Sequence, residues 1–559
     1  MKFQDMPYKR VDFAEIQNRF QDLMKEFQNA QSGEEQFEIH KKYYSLTDDV
    51  ETFSTLAEIR HDGDTADAYY KEENDYYDAS MPGYKDMVIK YQKMLFDSPY
   101  RDYLEEKIGH VAFKSMELAN KGFDEKIIGL MQEENALTTK YSNLLASAQI
   151  EWDGEVLNLS LMTPYLQSEN QEIRNRAYQK YIAYFESIGE ELDQIYDQLV
   201  KNRTAQARAL GYKNYVELGY YRMNRNSYGQ EEIGKFRRQV KEDFVPFVKR
   251  VHERRKKRLG LEKLTHKEEG VYFPQGNPKP VGTPEEILKC GQRMYAELSE
   301  ETKEFMDFMI ENELFDVLGR KTKRGGGYMT YLPNYQAPFV FANFNGTSGD
   351  VDVITHECGH AFQGYLAGMD PIKEHRDITM ETAEIHSMSM EFFTDPWMEN
   401  FFGERYQDFL KMQLEDAIIF IPYGTMVDEF QHIVYENPDM TPKERHAVWR
   451  KLEDEYRPYL SYEDSFFDEG RIWQKQQHIY RSPFYYIDYV LAETCAFQYK
   501  IWMDEDYKEA WNSYLKLCRL SASDFYGNML REVGLKVPFE EGSMKMIAEK
   551  LEEKLSKIV

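Results

Sequence analysis

Two histidines four residues apart, with a glutamate directly after the first, are the residues of this 559-residue chain best suited to chemistry: His356-Glu357-Cys358-Gly359-His360. On a helix, positions four apart lie one turn along and on nearly the same face, so both imidazoles can meet one cation while Glu357 points beside them. Imidazole nitrogens suit zinc, and a carboxylate next to such an ion can take a proton from water. The same pattern also arises by chance, and paired helix histidines are often only solvated or packed. A four-coordinate catalytic zinc needs a third protein ligand and an open position, so the rest of the chain must decide.

A third histidine six residues after the second is ruled out, because Gln363 and Leu366 stand where H-E-x-x-H-x-x-G-x-x-H requires Gly and His. Downstream, "DITMETAEIHSMSMEFFTDP" puts Glu381, Glu384, Met388 and Glu391 on one face of a helix that must stop near Asp395-Pro396. A carboxylate of this helix can complete the site. His386 competes, but two positions from Glu384 it faces elsewhere. Glu381 and Glu391 read either as surface acids or as groups that orient the metal histidines from behind. Cys358 reads as a buried, inert thiol. Gly359, costly inside a helix by about 1 kcal/mol, implies that another backbone approaches closely.

Taken together, "HECGHAF" and "ETAEIHSMSMEFF" resemble the zinc peptidase family of thimet oligopeptidase and oligoendopeptidase F, with its H-E-x-G-H signature and distant glutamate helix. The resemblance implies that Glu384 is the third ligand of one zinc ion per chain and that Glu391 is the later acid of the family helix. It also implies hydrolysis of short oligopeptides within the chain by a zinc-activated water, with Glu357 as general base. Similarity to the Pz-peptidase group adds collagen-derived peptides to the expected substrates. A zinc carboxypeptidase or peptidyl-dipeptidase is the enzymatic alternative, and a silent peptide-binding helical scaffold the other; the intact Glu357 argues against the latter. Many relatives carry a histidine where this chain has Gln363, which is not a ligand position. The family also places a histidine and tyrosines after its zinc helices, here "HIYRSPFYYIDYVLAETCAF", His478 to Phe497. On that match His478 and Tyr486 serve catalysis, Tyr486 as an oxyanion donor, while Tyr485 and Tyr489 contact substrate. With 42 tyrosines in the chain, the cluster alone would read as aromatic packing.

The positioning elements follow from periodicity. Val351, Ile354 and Phe362 give the 350–367 helix an apolar stripe, Asp350 is suited to cap its start and Gly368 to end it. Before it, "PFVFANF", Pro338 to Phe344, reads as an edge strand that aligns substrate through Ala342 and Phe344, beside a mobile loop of Gly325, Gly326 and Gly327. Apolar residues at three and four spacings make residues 1–200 a helical lobe, interrupted near 148–160 by a hairpin turning at Asp153-Gly154. Residues 201–559 are then the catalytic domain. The class is mostly α with a small sheet, and the family likeness implies a large bilobed zincin-type fold with a deep substrate channel.

Acidic residues outnumber basic ones 98 to 70, for a net charge of -28, which repels nucleic acid and anionic membranes. The basic run Val248–Gly260 has acidic neighbours and reads as a solvated helix face. There is neither an apolar span nor a signal-like N-terminus, and the 4 cysteines have no paired spacing. The expectation is a cytoplasmic, monomeric protein.

Overall fold

The computed structural model describes residues 1–320, 322–462 and 466–557 and is mostly helical, as the periodicity predicts. Two small sheets interrupt the helices. Strands β1 (Ile150–Trp152) and β2 (Glu155–Leu157) form the expected hairpin. Its turn residues Asp153 and Gly154 both have positive φ, 49° and 88°, the conformation a two-residue hairpin demands. Strands β3 (Phe315–Leu318), β4 (Tyr328–Leu332) and β5 (Ala337–Phe344) form a sheet in the order β3-β5-β4. β5 is parallel to β3 and antiparallel to β4, with Met329 opposite Val340.

This arrangement corrects one expectation: β5 is the central strand, and the edges are β3 and β4. Ala342 and Phe344 are buried. Pro338 is tolerated in a central strand because β3 begins pairing only at Val340, so Pro338 still has one side without a strand partner.

The chain divides into two compact units that interleave along the sequence. One comprises Met1–Lys121, Lys279–Gly403 and Trp502–Leu535; the other comprises Gly122–Pro278, Glu404–Ile501 and Lys536–Val559. Residue 200, where the sequence suggests a boundary, lies inside the continuous helix Gln171–Ala209 of the second unit.

In the first unit, helices Phe13–Asn29, Gly33–Gly63 and Ala68–Phe96 start at Asp12, Ser32 and Asp67, whose side chains accept from first-turn backbone N–H groups. They bury Phe20, Tyr43, Val50, Tyr84 and Tyr91 in a shared core. The same unit holds the three-stranded sheet, the histidine helix Gly349–Ala367 and the carboxylate helix Met380–Phe393. The segment joining these two helices is fastened to Gly33–Gly63. Lys373 Nζ donates to Thr47, Asp48 and Glu51, and Glu374 accepts from Tyr44 and lies 2.9 Å from His40 Nε2. Among the described residues, no helix is long and apolar enough to cross a membrane.

Candidate metal centre

The histidine helix starts after Ser348, which makes no side-chain cap. Asp350, expected as the cap, instead accepts from the backbone N–H groups of Asn345 and Gly346, 2.8 Å each, and so fixes the loop leaving β5. The helix ends at Gly368 as expected, although φ there is an ordinary -58°. What Gly368 provides is space, since a Cβ would come within 2.1 Å of the Tyr331 hydroxyl on β4.

Gly359 meets its predicted close neighbour. A Cβ there would fall 2.7 Å from both the His386 carbonyl oxygen and Ser387 Cα, so the carboxylate helix packs backbone to backbone against the histidine helix. That contact lets the short Glu384 side chain reach both histidines. Glu384 Oε2 is 3.5 Å from His356 Nε2 and 3.3 Å from His360 Nε2, and the three candidate donor atoms all lie within 4.8 Å of one another. Two imidazole nitrogens and one buried carboxylate oxygen are a donor set that fits a zinc-type cation.

The groups behind these donors are fixed too. Glu391 Oε1 lies 2.6 Å from His356 Nδ1, which aims Nε2 at the site, and Ser387 Oγ donates to Glu384 Oε2 at 3.0 Å. Burial disfavours charge on His356, but the Glu384 and Glu391 carboxylates outweigh it and hold its pKa well above the ordinary histidine value. Burial likewise acts against the Glu384 carboxylate, yet His360 and His356 hold its pKa well below the usual range. The pocket therefore favours a cation between these side chains. His386 faces away: its Nδ1 is 3.5 Å from Cys518 Sγ, its carbonyl accepts from Tyr514, and burial pushes its pKa down to about 3. Cys358 is buried, and burial pushes its thiol far up. Gln363, at the excluded glycine position, donates to Ser521 at 3.1 Å.

Glu357 is partly exposed, and its carboxylate has no hydrogen-bond or ion-pair partner among the described residues. The glycine loop passes over it: a Cβ on Gly327 would lie 3.8 Å from Glu357 Oε1 and 3.3 Å from the Phe341 carbonyl. Gly326 needs its missing side chain, having φ +100°. The loop is tethered on both flanks, by Asn343 donating to the Arg324 and Gly326 carbonyls and by Arg324 and Tyr328 on Asp62. Beside β4 opens a cavity of about 450 Å³ lined by Thr330, Tyr331, His360, Gly364, Lys373 and Met380, among others.

His478, Tyr485, Tyr486 and Tyr489 belong to the second unit, where they form one cluster. The His478 ring centroid is 5.7, 4.8 and 5.7 Å from those of Tyr485, Tyr486 and Tyr489. All four are partly exposed. The turn between His478 and Tyr486 passes through Phe484 at φ +67°, a left-handed conformation that a bulky residue keeps only when its surroundings enforce it. Here Gln431 accepts from its N–H at 3.0 Å, and Arg225 donates to its carbonyl at 2.6 Å and pairs with buried Asp488. Gly219 leaves room for the ring, since a Cβ would intrude to 2.6 Å. Gln431, Arg225 and Gly219 carry no local sequence signal, being more than 50 positions from Phe484.

The sequence matches the peptidase M3 N-terminal domain over residues 3–123 and peptidase family M3 over residues 164–267 and 294–549. An oligoendopeptidase F homolog of Borreliella burgdorferi is 23% identical over 94% of this chain and 92% of its own. The solved structure of Pz peptidase A with an inhibitor is 45% identical, with a TM-score of 0.96 over 99% of each chain. A candidate oligoendopeptidase F from Bacillus anthracis is 42% identical, with a TM-score of 0.91 over 100% of this chain and 98% of that one.

Proposed function

The chain belongs to peptidase family M3 and is a metallo-oligoendopeptidase, and from that premise we propose that it cleaves short peptides internally, using one zinc ion per chain held by His356, His360 and Glu384. The observation that carries this reading is the convergence of those three donors beside Glu357, a carboxylate without a partner among the described residues. When bound, the ion supplies a Lewis acid that polarises a peptide carbonyl and acidifies water. Glu357 takes the proton of the attacking water and passes it to the leaving amine, which needs the free carboxylate that the site presents. Glu391 keeps His356 in the tautomer that offers Nε2. An extended peptide can pair with the edge strand β4, with Gly326 and Gly327 leaving its backbone room near the base. The role of His478 and Tyr486 as donors to substrate and transition state, and of Tyr485 and Tyr489 as substrate contacts, rests on the family likeness of their segment. So do collagen-derived peptides as substrates.

The test is cleavage of internally quenched peptides of graded length, with both termini blocked. Activity should persist on blocked peptides, which separates an endopeptidase from a carboxypeptidase or peptidyl-dipeptidase. A chelator should abolish it, and Glu357→Gln should lower kcat by roughly 10²–10⁴-fold while retaining the metal. Glu384→Ala should lose bound zinc; full metal content in that variant would refute the ligand set.

A further inference from the structure

We propose that Gln476 is a positioning residue that fixes the tautomer of the His478 imidazole, placing the ring proton of its neutral form on Nε2, so that the ring serves as a hydrogen-bond donor to substrate. This rests on the reading that His478 contacts substrate. Gln476 stands in extended backbone, φ -82° and ψ 99°, immediately before the short helix Gln477–Arg481, which sets its side chain alongside the ring. Its two amide atoms are engaged in opposite senses. The Tyr423 hydroxyl donates to Oε1 at 2.7 Å, and Nε2 lies 2.8 Å from His478 Nδ1. An amide nitrogen can only donate, so Nδ1 must be the acceptor and the ring proton of the neutral form must sit on Nε2.

Tyrosines surround this relay. Tyr485, Tyr486 and Tyr489 pack on the imidazole, and Tyr423 reaches it through Gln476. Burial raises the pKa of Tyr423 and Tyr486 far above the ordinary tyrosine value, for Tyr486 with help from Asp416 and against a hydrogen bond with Gln476, so both keep their protons throughout the working pH range. A ring fixed in this tautomer donates without changing its own charge, as stabilising a developing oxyanion requires.

Gln476→Glu tests the assignment, because a carboxylate can only accept. It accepts a hydrogen bond from Nδ1–H, so the neutral ring then shows a bare Nε2 and only the imidazolium still donates there. The expected result is a kcat ratio, variant to wild type, that falls about tenfold from pH 6 to pH 9 with KM little changed. Gln476→Met should give a smaller, pH-independent loss. Thermal melting and zinc content are measured on each variant, and a double variant with His478→Phe shows whether the pH effect passes through the imidazole: there it should vanish. Four results overturn the proposal. A flat or rising ratio in Gln476→Glu means that the amide is turned the other way and already accepts from Nδ1. An equal pH dependence in the His478→Phe background means that Gln476 acts elsewhere, and an effect explained by lost folding or zinc means that it is structural. Wild-type kcat in His478→Phe alone removes the underlying role of His478. A hundredfold loss there, with a flat Gln476→Glu ratio, leaves that role standing and sinks only the tautomer assignment.

Discussion

At the residue scale, the metal centre depends on what stands behind each donor. Glu391 touches His356 on the side away from the candidate ion, so Glu391→Gln should leave the fold intact and weaken zinc binding about 10–100-fold, measured by competition with a chelator. Unchanged affinity would reduce Glu391 to an ordinary surface acid, one of its two readings from sequence. Helical spacing made part of this legible in the chain, since it sets His356 and His360 on one face and His386 away from the acids of its helix, whereas the choice of Glu384 among those acids came from the family resemblance. Asp350 was not, since an aspartate at a helix start serves a helix cap and a loop clamp equally well, and only the fold shows which N–H groups it meets. Gln476 gave no signal either, because its partner Tyr423 lies 53 positions away.

At the scale of elements, the site requires two helices to touch through their backbones, and Gly359 is where they do. Gly359→Ala puts a methyl group against the His386 carbonyl, which must be relieved by separating the helices. We expect a loss of about 1–3 kcal/mol by denaturant melting, together with weaker zinc retention, as Glu384 withdraws from the histidines. Retained affinity in a destabilised variant would show that the carboxylate helix can shift without carrying Glu384 away. A glycine inside an otherwise good helix pattern announced this contact in advance. Strand order was not announced, because the neighbours of a strand are written elsewhere in the chain. "PFVFANF" looks like an edge through Pro338, yet it is flanked on both sides once β3 and β4 arrive.

At the scale of the whole molecule, the N-terminal helices share a unit with the candidate metal centre, and the link between the histidine and carboxylate helices is pinned to Gly33–Gly63. Burial acts to raise the pKa of Glu374, but His40 and Tyr44 overcome it and hold the carboxylate below its usual range. A depressed carboxylate stabilises the folded state above its unfolded pKa of about 4.3, and that contribution disappears as pH falls through the folded value. Glu374→Gln should therefore lower the melting midpoint at pH 7, by an amount equivalent to about 1–3 kcal/mol, and the deficit should shrink on acidification below pH 4. A deficit independent of pH would assign the loss to packing. The helical character of this region was readable from periodicity, but its partnership with residues more than 300 positions later was not, because amphipathic faces do not name what they pack against.

The interleaved units also say something about how the enzyme is made. The first unit takes its last segment from Trp502–Leu535, which supplies Tyr514 to the His386 carbonyl and Ser521 to Gln363. At about 5–20 residues per second, ribosomal synthesis of the chain lasts on the order of half a minute to two minutes. The histidines emerge well before the segment that buttresses them. Loading of the ion should accordingly wait until Trp502–Leu535 has been made and has docked, leaving the nascent chain proteolytically silent until then.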